Sequence, residues 1–168
     1  SPADVRRLLD VARSYPSPDA PLRPMVLYTM VVLAYCAGLR RSELAGLELG
    51  DVDLQSDTIT IRATKFYKTR ILPLTGSVMA ELRAYIDARR RAGAPQDPRS
   101  GLFWHEHFND HYTPVTVSTM ITNVMRRAGF KPPTGRAGPR VHDLRHSMVV
   151  NRILQWYRSG INPQDKLR

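Results

Sequence analysis

Apolar positions along the chain change their spacing several times, and each change marks an element. In "SPADVRRLLDVARSY" Val5, Leu8, Leu9 and Ala12 fall at helical spacing, with Ser1 placed to cap the turn and Pro2 at its first position. Prolines in "YPSPDAPLRP" break that pattern, and "MVLYTMVVLAYCA" then runs apolar from Met25 to Ala37. The run is shorter than the roughly 20 residues a bilayer span requires, so it predicts a buried central helix. That helix starts near Pro24 and stops at Gly38, a residue suited to ending one. "RRSELAGLEL" predicts a short helix beginning at once, which leaves Arg40 near the junction.

The period then falls to two. Ile59 and Ile61 alternate with Thr58, Thr60 and Arg62, and "RILPL" follows a polar tip, so a β-hairpin is expected with Lys65 to Thr69 at or near its turn. "TGSVMAELRAYIDARRRAG" predicts a helix whose basic end suits the helix dipole. "APQDPRSG" reads as a loop and "LFWHEHFNDHY" as a short strand and loop. Thr113-Pro114 opens a helix to Arg127 that stops at Gly129, and "KPPTGRAGPR" is a Pro/Gly-rich basic loop. A final helix begins near His142 or Asp143. The fold class is mainly α with a small antiparallel sheet (α+β); there is no βαβ alternation and no internal repeat.

At 168 residues the chain makes one domain with room for a real core. A hydrophobic share of 42% and a mean hydropathy of −0.34 fit a globular chain rather than a disordered or membrane one. The first residues are polar and lack the pattern of a signal peptide. A single cysteine, Cys36, rules out a disulfide framework and suits a reducing cytoplasm. Charge changes the picture more. There are 25 Lys and Arg against 15 Asp and Glu, a net charge of +10, and the excess is uneven. Residues 1–50 carry a net of +1 and residues 101–168 a net of +6. A concentrated excess points to a polyanion, with nucleic acid ahead of a membrane surface.

Several cationic pieces would suit one phosphate. "GLRRSEL" gives Arg40 with Glu43 three residues on, and an arginine held by a carboxylate offers a stiff fork to two phosphate oxygens. Lys65 sits near the hairpin tip, where a long ammonium reaches outward. His142 and Arg145 share one side of a first helical turn, whose unpaired N–H groups favour an anion. Each piece alone has an ordinary explanation: a surface ion pair, a solvated lysine, a structural histidine. No Gly-x-x-x-x-Gly-Lys-Ser/Thr loop occurs, so no nucleotide cofactor is expected.

The order "GLRRSEL", "GDVDL", "TKFYKTRILPL", "HDLRHS" resembles the catalytic domain of the tyrosine recombinase (phage integrase) family, from about Leu27 to Ile161. The resemblance implies a DNA breaking-rejoining catalytic core acting on double-stranded DNA with other recombinase protomers. Arg40 and Arg145 would grip the scissile phosphate and His142 would assist proton transfer. Lys65 would protonate the leaving 5′ oxygen, with Lys68 as its rival for that role. Glu43 would support Arg40, Asp51 would hold the turn after the helix, and His146 would be a further supporting residue. No metal, nucleotide cofactor or membrane is implied, and a cytoplasmic location is expected.

Family members attack with a tyrosine on a helix later than His-x-x-Arg. Tyr157, in "LQWYRSG", is twelve residues past Arg145, about 18 Å along one continuous helix, so it and Trp156 are expected to pack rather than react. The attacking tyrosine is therefore expected beyond this chain, and the family's N-terminal DNA-clamping domain is expected to lie outside it too. On that expectation residues 1–168 are a catalytic domain, incomplete at its C-terminus and inactive alone.

Two other classes compete. His105, His107 and His111, with Glu106 and Asp110 beside them, would make a metal-dependent nuclease if they held Zn²⁺ or Mn²⁺, although their spacing does not match a helical His-Glu-x-x-His motif. Alternatively "RRAGFKPPTGRAGPR" would track phosphates in a non-catalytic DNA-binding module, which has no need for Arg40, Lys65, His142 and Arg145 to converge.

Overall fold

A computed structural model describes residues 1–62, 68–147 and 158–160. Helix α1 (Pro2–Arg13) starts on a capping box. The Ser1 hydroxyl accepts the Asp4 N–H, and the Asp4 carboxylate accepts from the Ser1 hydroxyl and amino group in return. Its Leu8 and Ala12 turn inward onto α2 (Arg23–Cys36), the central helix. Val26, Leu27, Met30, Val31, Leu33 and Ala34 of α2 are buried, and burial fails only at its end, where Cys36 is exposed. Gly38 then takes a φ of +69°, a conformation open to glycine that ends the helix and turns the chain.

Helix α3 (Arg41–Gly46) follows and packs against α5 (Pro114–Arg127). A turn of 3₁₀ helix at Leu49–Asp51 leads into a three-stranded antiparallel sheet in the order β1 (Val52–Asp53), β2 (Thr58–Ile61), β3 (Arg70–Pro73). In its register Ile59 faces Leu72 and Ile61 faces Arg70. The two isoleucines are buried while Thr58 and Thr60 stay half-exposed, as the alternation predicts. Of the expected hairpin tip, Lys65 to Thr69, residues 65–67 lie outside the described residues.

Helix α4 (Gly76–Arg91), capped by the Thr75 hydroxyl, lays Leu82, Tyr85 and Arg89 against the core. The "WHEHFNDH" stretch is a second small sheet, a hairpin of β4 (Trp104–His105) and β5 (Asp110–His111), rather than a single strand and loop. Its turn places Asn109 at a φ of +49°, within the asparagine-tolerant left-handed region. Thr113 caps α5, which turns Val117, Ile121, Val124 and Met125 inward. Residues 141–147 are helical and are anchored by the buried side chains of Val141 and Leu144. The last helix thus begins one residue before the earlier of the two expected starts. Among the described residues no helix is long and apolar enough to cross a membrane.

Candidate active site

Gly38 and the buried Leu39 fix where α3 begins, and Arg40 is its N-cap, in extended backbone. Glu43 closes that turn by accepting the Arg40 backbone N–H at 3.0 Å. The Glu43 side chain is fully buried, and its main cationic partner comes from the sheet. Arg70 of β3 donates to both carboxylate oxygens, at 3.1 and 2.9 Å, whereas the Arg40 guanidinium stands 4.0 Å away. The i, i+3 spacing suggests that Glu43 serves Arg40; in the fold it does so chiefly through the backbone, while its charge is shared with Arg70.

Arg40, Arg41, Arg140, His142 and Arg145 line one cavity of about 400 Å³, floored by Leu39 and Val141 and closed on one side by Ser118 of α5. None of its lining residues is an Asp or Glu. Arg145 is half-buried, and burial pushes its guanidinium below the ordinary arginine range; nearby Arg40 and Arg70 push the same way, and Glu43 opposes them. Arg41 is braced by its 3.3 Å hydrogen bond to the Ser118 hydroxyl. The exposed His142 ring meets the His146 ring edge-on at 4.2 Å between centroids, so His146 abuts the site without lining the cavity.

Asp51 lies apart from this pocket. It accepts the Glu48 N–H at 2.8 Å and the Arg62 guanidinium at 3.1 Å, which ties the 3₁₀ turn to the sheet. Lys65 is outside the described residues, and Lys68 is exposed and does not line the cavity. None of the five described tyrosines lines it either, and three are held by contacts elsewhere. Tyr15 lies against Arg127, Tyr28 donates to Glu81, and Tyr85 donates to the Leu102 carbonyl. Tyr67, Trp156 and Tyr157 fall outside the described residues.

Three arginines of this region escape a motif-based reading. Arg41 sits inside "GLRRSEL" beside Arg40, and Arg140 two residues before His142, so adjacency was a usable signal. Arg70 carried none, because its pairing with Glu43 spans 27 residues of sequence. Chemically the pocket offers guanidinium forks and an imidazole to a group whose negative charge is spread over several oxygens, which is the demand of a phosphodiester under attack.

The histidine cluster looks different. His105 stacks between Phe108 and Tyr112, with ring centroids at 4.6 and 5.0 Å, and its Nδ1 accepts the His107 N–H at 3.3 Å. Glu106 is turned away to accept the Leu22 N–H at 2.6 Å. Among the described residues no three His, Cys, Asp or Glu side chains are arranged to hold a metal ion.

The helical layers and the small antiparallel sheet make the integrase catalytic-core fold. The crystal structure of XerA recombinase matches with a TM-score of 0.70 and 28% identity, over 92% of this chain and 49% of that one. The Phage integrase family model matches residues 1–163, and the chain belongs to that family. A putative integrase/recombinase, y4rB of Sinorhizobium fredii (strain NBRC 101917 / NGR234), is 33% identical over 98% of this chain and 52% of its own length. XerH bound to its difH substrate in a pre-cleavage complex shares the fold, with a TM-score of 0.68 and 17% identity over 91% of this chain and 42% of that one. The chain spans about half the length of the curated relatives it matches.

Proposed function

We propose that this chain supplies the phosphate-gripping part of a tyrosine-type DNA recombinase. The reading is carried by one observation: Arg40, His142 and Arg145, from two distant stretches of sequence, converge with Arg41 and Arg140 on one acid-free pocket. A non-catalytic DNA-binding module has no use for such convergence, and among the described residues no group of His, Cys, Asp or Glu is arranged to give a metal-dependent nuclease its centre.

In this reading double-stranded DNA places one phosphodiester between Arg40 and Arg145. A tyrosine oxygen attacks phosphorus, the bond to the 5′ oxygen breaks, and Lys65 (with Lys68 as its rival) gives the leaving oxygen its proton. His142 contacts the phosphate and assists proton transfer, while Glu43, Asp51 and His146 support the frame. The 3′-phosphotyrosine link keeps the energy of the broken bond, so religation to a partner strand needs neither ATP nor a metal. We assign the attacking tyrosine outside these residues, which leaves the 168-residue chain able to hold DNA without cutting it. XerH bound to its difH substrate supports DNA as a partner, the lambda integrase dimer bound to a core site supports other protomers, and a cytoplasmic setting fits that chemistry.

The test is a nicked duplex, which traps covalent intermediates, presented in EDTA. The chain alone is expected to bind it without forming an adduct, and to lose binding when Arg40→Gln and Arg145→Gln are combined. Fused to a tyrosine-bearing C-terminal segment of a relative, it is expected to form an alkali-stable tyrosyl adduct in the same buffer. Binding that ignores both arginines, or an adduct that appears only with added divalent metal, would sink the proposal.

A further inference from the structure

A second basic cavity, of about 370 Å³, lies against the first and shares Ser118, Arg140 and Val141 with it. Its own walls come from Thr122 and Arg126 of α5 and from Arg136 in the loop that follows. No Asp or Glu lines it, and among the described residues none of Arg126, Arg136 and Arg140 forms an ion pair. Arg126 donates to the Gly135 carbonyl at 3.1 Å, while its Nε is buried with no hydrogen-bond partner among the described residues.

The loop is held in a way that leaves this cavity positive. Lys131 is buried, and its ammonium takes the carbonyls of Ala137 and Pro139 at 2.8 and 3.0 Å, with that of Gly138 at 3.5 Å. Gly138 has a φ of +84°, and a Cβ there would stand 2.8 Å from the Phe130 carbonyl, so the close approach admits only glycine. Lys131 also lines the cavity, and its ammonium answers the negative ends of those carbonyls within the loop. Arg136 and Arg140 are left exposed on its rim. The lysine is thus spent on shaping the loop, and the three arginines carry the outward charge.

We propose that this second cavity is a phosphate subsite for duplex DNA, taking a backbone phosphate next along the strand from the one gripped by Arg40 and Arg145. This rests on the DNA reading of the first pocket. Arg140 is shared between the two phosphates, and the hydroxyls of Ser118 and Thr122 add neutral donors of the kind that fix register on a duplex. Paired subsites orient the strand through the first pocket, which a single phosphate contact would leave free to swivel.

The experiment uses a mixed-sequence duplex of about three helical turns, roughly 30 base pairs, and measures its Kd against salt for the 168-residue chain. Each phosphate contact adds about 0.9 to the slope of log Kd on log salt. The double variant Arg126→Gln/Arg136→Gln is expected to lower the slope by about one, and to weaken binding about tenfold at low salt, with an unchanged circular dichroism spectrum. Arg136→Gln alone, at an exposed loop position, is expected to show a smaller loss of the same sign and guards against misfolding of the double variant. If both leave the slope untouched while Arg40→Gln/Arg145→Gln still lowers it, the subsite is wrong and the DNA reading stands. If no variant changes the slope, or the parent chain shows no salt-dependent binding, the DNA reading fails and takes the subsite with it.

Discussion

Arg89 and Arg145 are the same side chain put to opposite uses. Arg89 of α4 is fully buried inside a cage of oxygens and has no carboxylate partner. Its Nε donates to the Leu102 carbonyl at 3.1 Å, one terminal nitrogen to the Pro95 carbonyl at 2.6 Å, and the other to Ser100 Oγ and the Gly101 carbonyl, both at 2.9 Å. Arg145 is half-buried in a cavity lined by other arginines, and Arg40 and Arg70 press on it with charge of its own sign that Glu43 only partly offsets. Burying a whole guanidinium is costly unless most of its donors are matched. Among the described residues Arg145 has no such cage, and its donors are what an anionic ligand would complete.

The largest break in this comparison comes from removing the caged guanidinium. Arg89→Met keeps the length and apolar stem but takes the guanidinium donor from the part-buried Gly101 carbonyl and leaves the Pro95 carbonyl only the Ser100 hydroxyl. The cage also shapes the 94–102 segment, which runs back to pair with Leu47 and Leu49 beside α3. Urea denaturation is expected to show a loss of about 3 kcal/mol, as for an unsatisfied buried polar cluster. A loss under about 1 kcal/mol would mean that water replaces the guanidinium cheaply.

Glu43→Gln stands between the two extremes. The amide oxygen still caps the Arg40 N–H, but the charge that balances Arg70 disappears from a fully buried position. Because Arg70 is part-exposed, the expected cost is moderate, about 1–2 kcal/mol by urea denaturation. Loss of the anion also strengthens the repulsion among Arg40, Arg70 and Arg145, so added phosphate should restore more stability to the variant than to the parent chain.

Arg145→Gln is the opposite case. Removing it relieves repulsion from Arg40 and Arg70, gives up a weaker attraction to Glu43 and breaks no hydrogen bond among the described residues, so stability is expected to move by no more than about 0.5 kcal/mol. Affinity for duplex DNA should nevertheless fall about tenfold at low salt. A variant that unfolded instead would show that the pocket arginines serve the frame.

These contacts also mark what the sequence could disclose. Local signals worked where local physics decides the outcome: the Ser1 cap, the apolar run closed by Gly38, the Ile59/Ile61 alternation, and Thr113-Pro114 opening α5. The motif arginines Arg40 and Arg145 and the imidazole of His142 were legible because their spacing is short and their order along the chain is distinctive. Arg89 looked like one of three basic residues suited to a helix C-terminus, and only its inward face separates it from the exposed Arg90 and Arg91. Lys131 and Arg70 were equally hidden. Each partners carbonyls or a carboxylate that folding brings up, and neither leaves a periodicity. The second strand of the "HEHFNDH" hairpin was missed because two-residue strands carry no alternation to read.

His105 gives the smallest effect and sharpens the contrast from a third side. Arginine cannot shed its proton, so buried Arg89 needs its cage; histidine can stay neutral instead. Packing between Phe108 and Tyr112 removes water from the His105 ring, and that burial, helped by Arg23 and His107, lowers its pKa below the ordinary 6.5. With a folded pKa below the unfolded one, the unfolded chain binds more protons in the window between them. The His105 contribution is therefore complete above about pH 6.5 and is lost as pH falls through the lowered folded value. The midpoint of urea denaturation should fall on acidification from pH 7 to pH 5, and His105→Gln should flatten that slope. His107→Gln, which removes a secondary cause of the shift, should alter it less. If both variants kept the parent slope, the acid sensitivity would have to come from another group, and His105 would be a solvated ring whose packing costs its charge nothing.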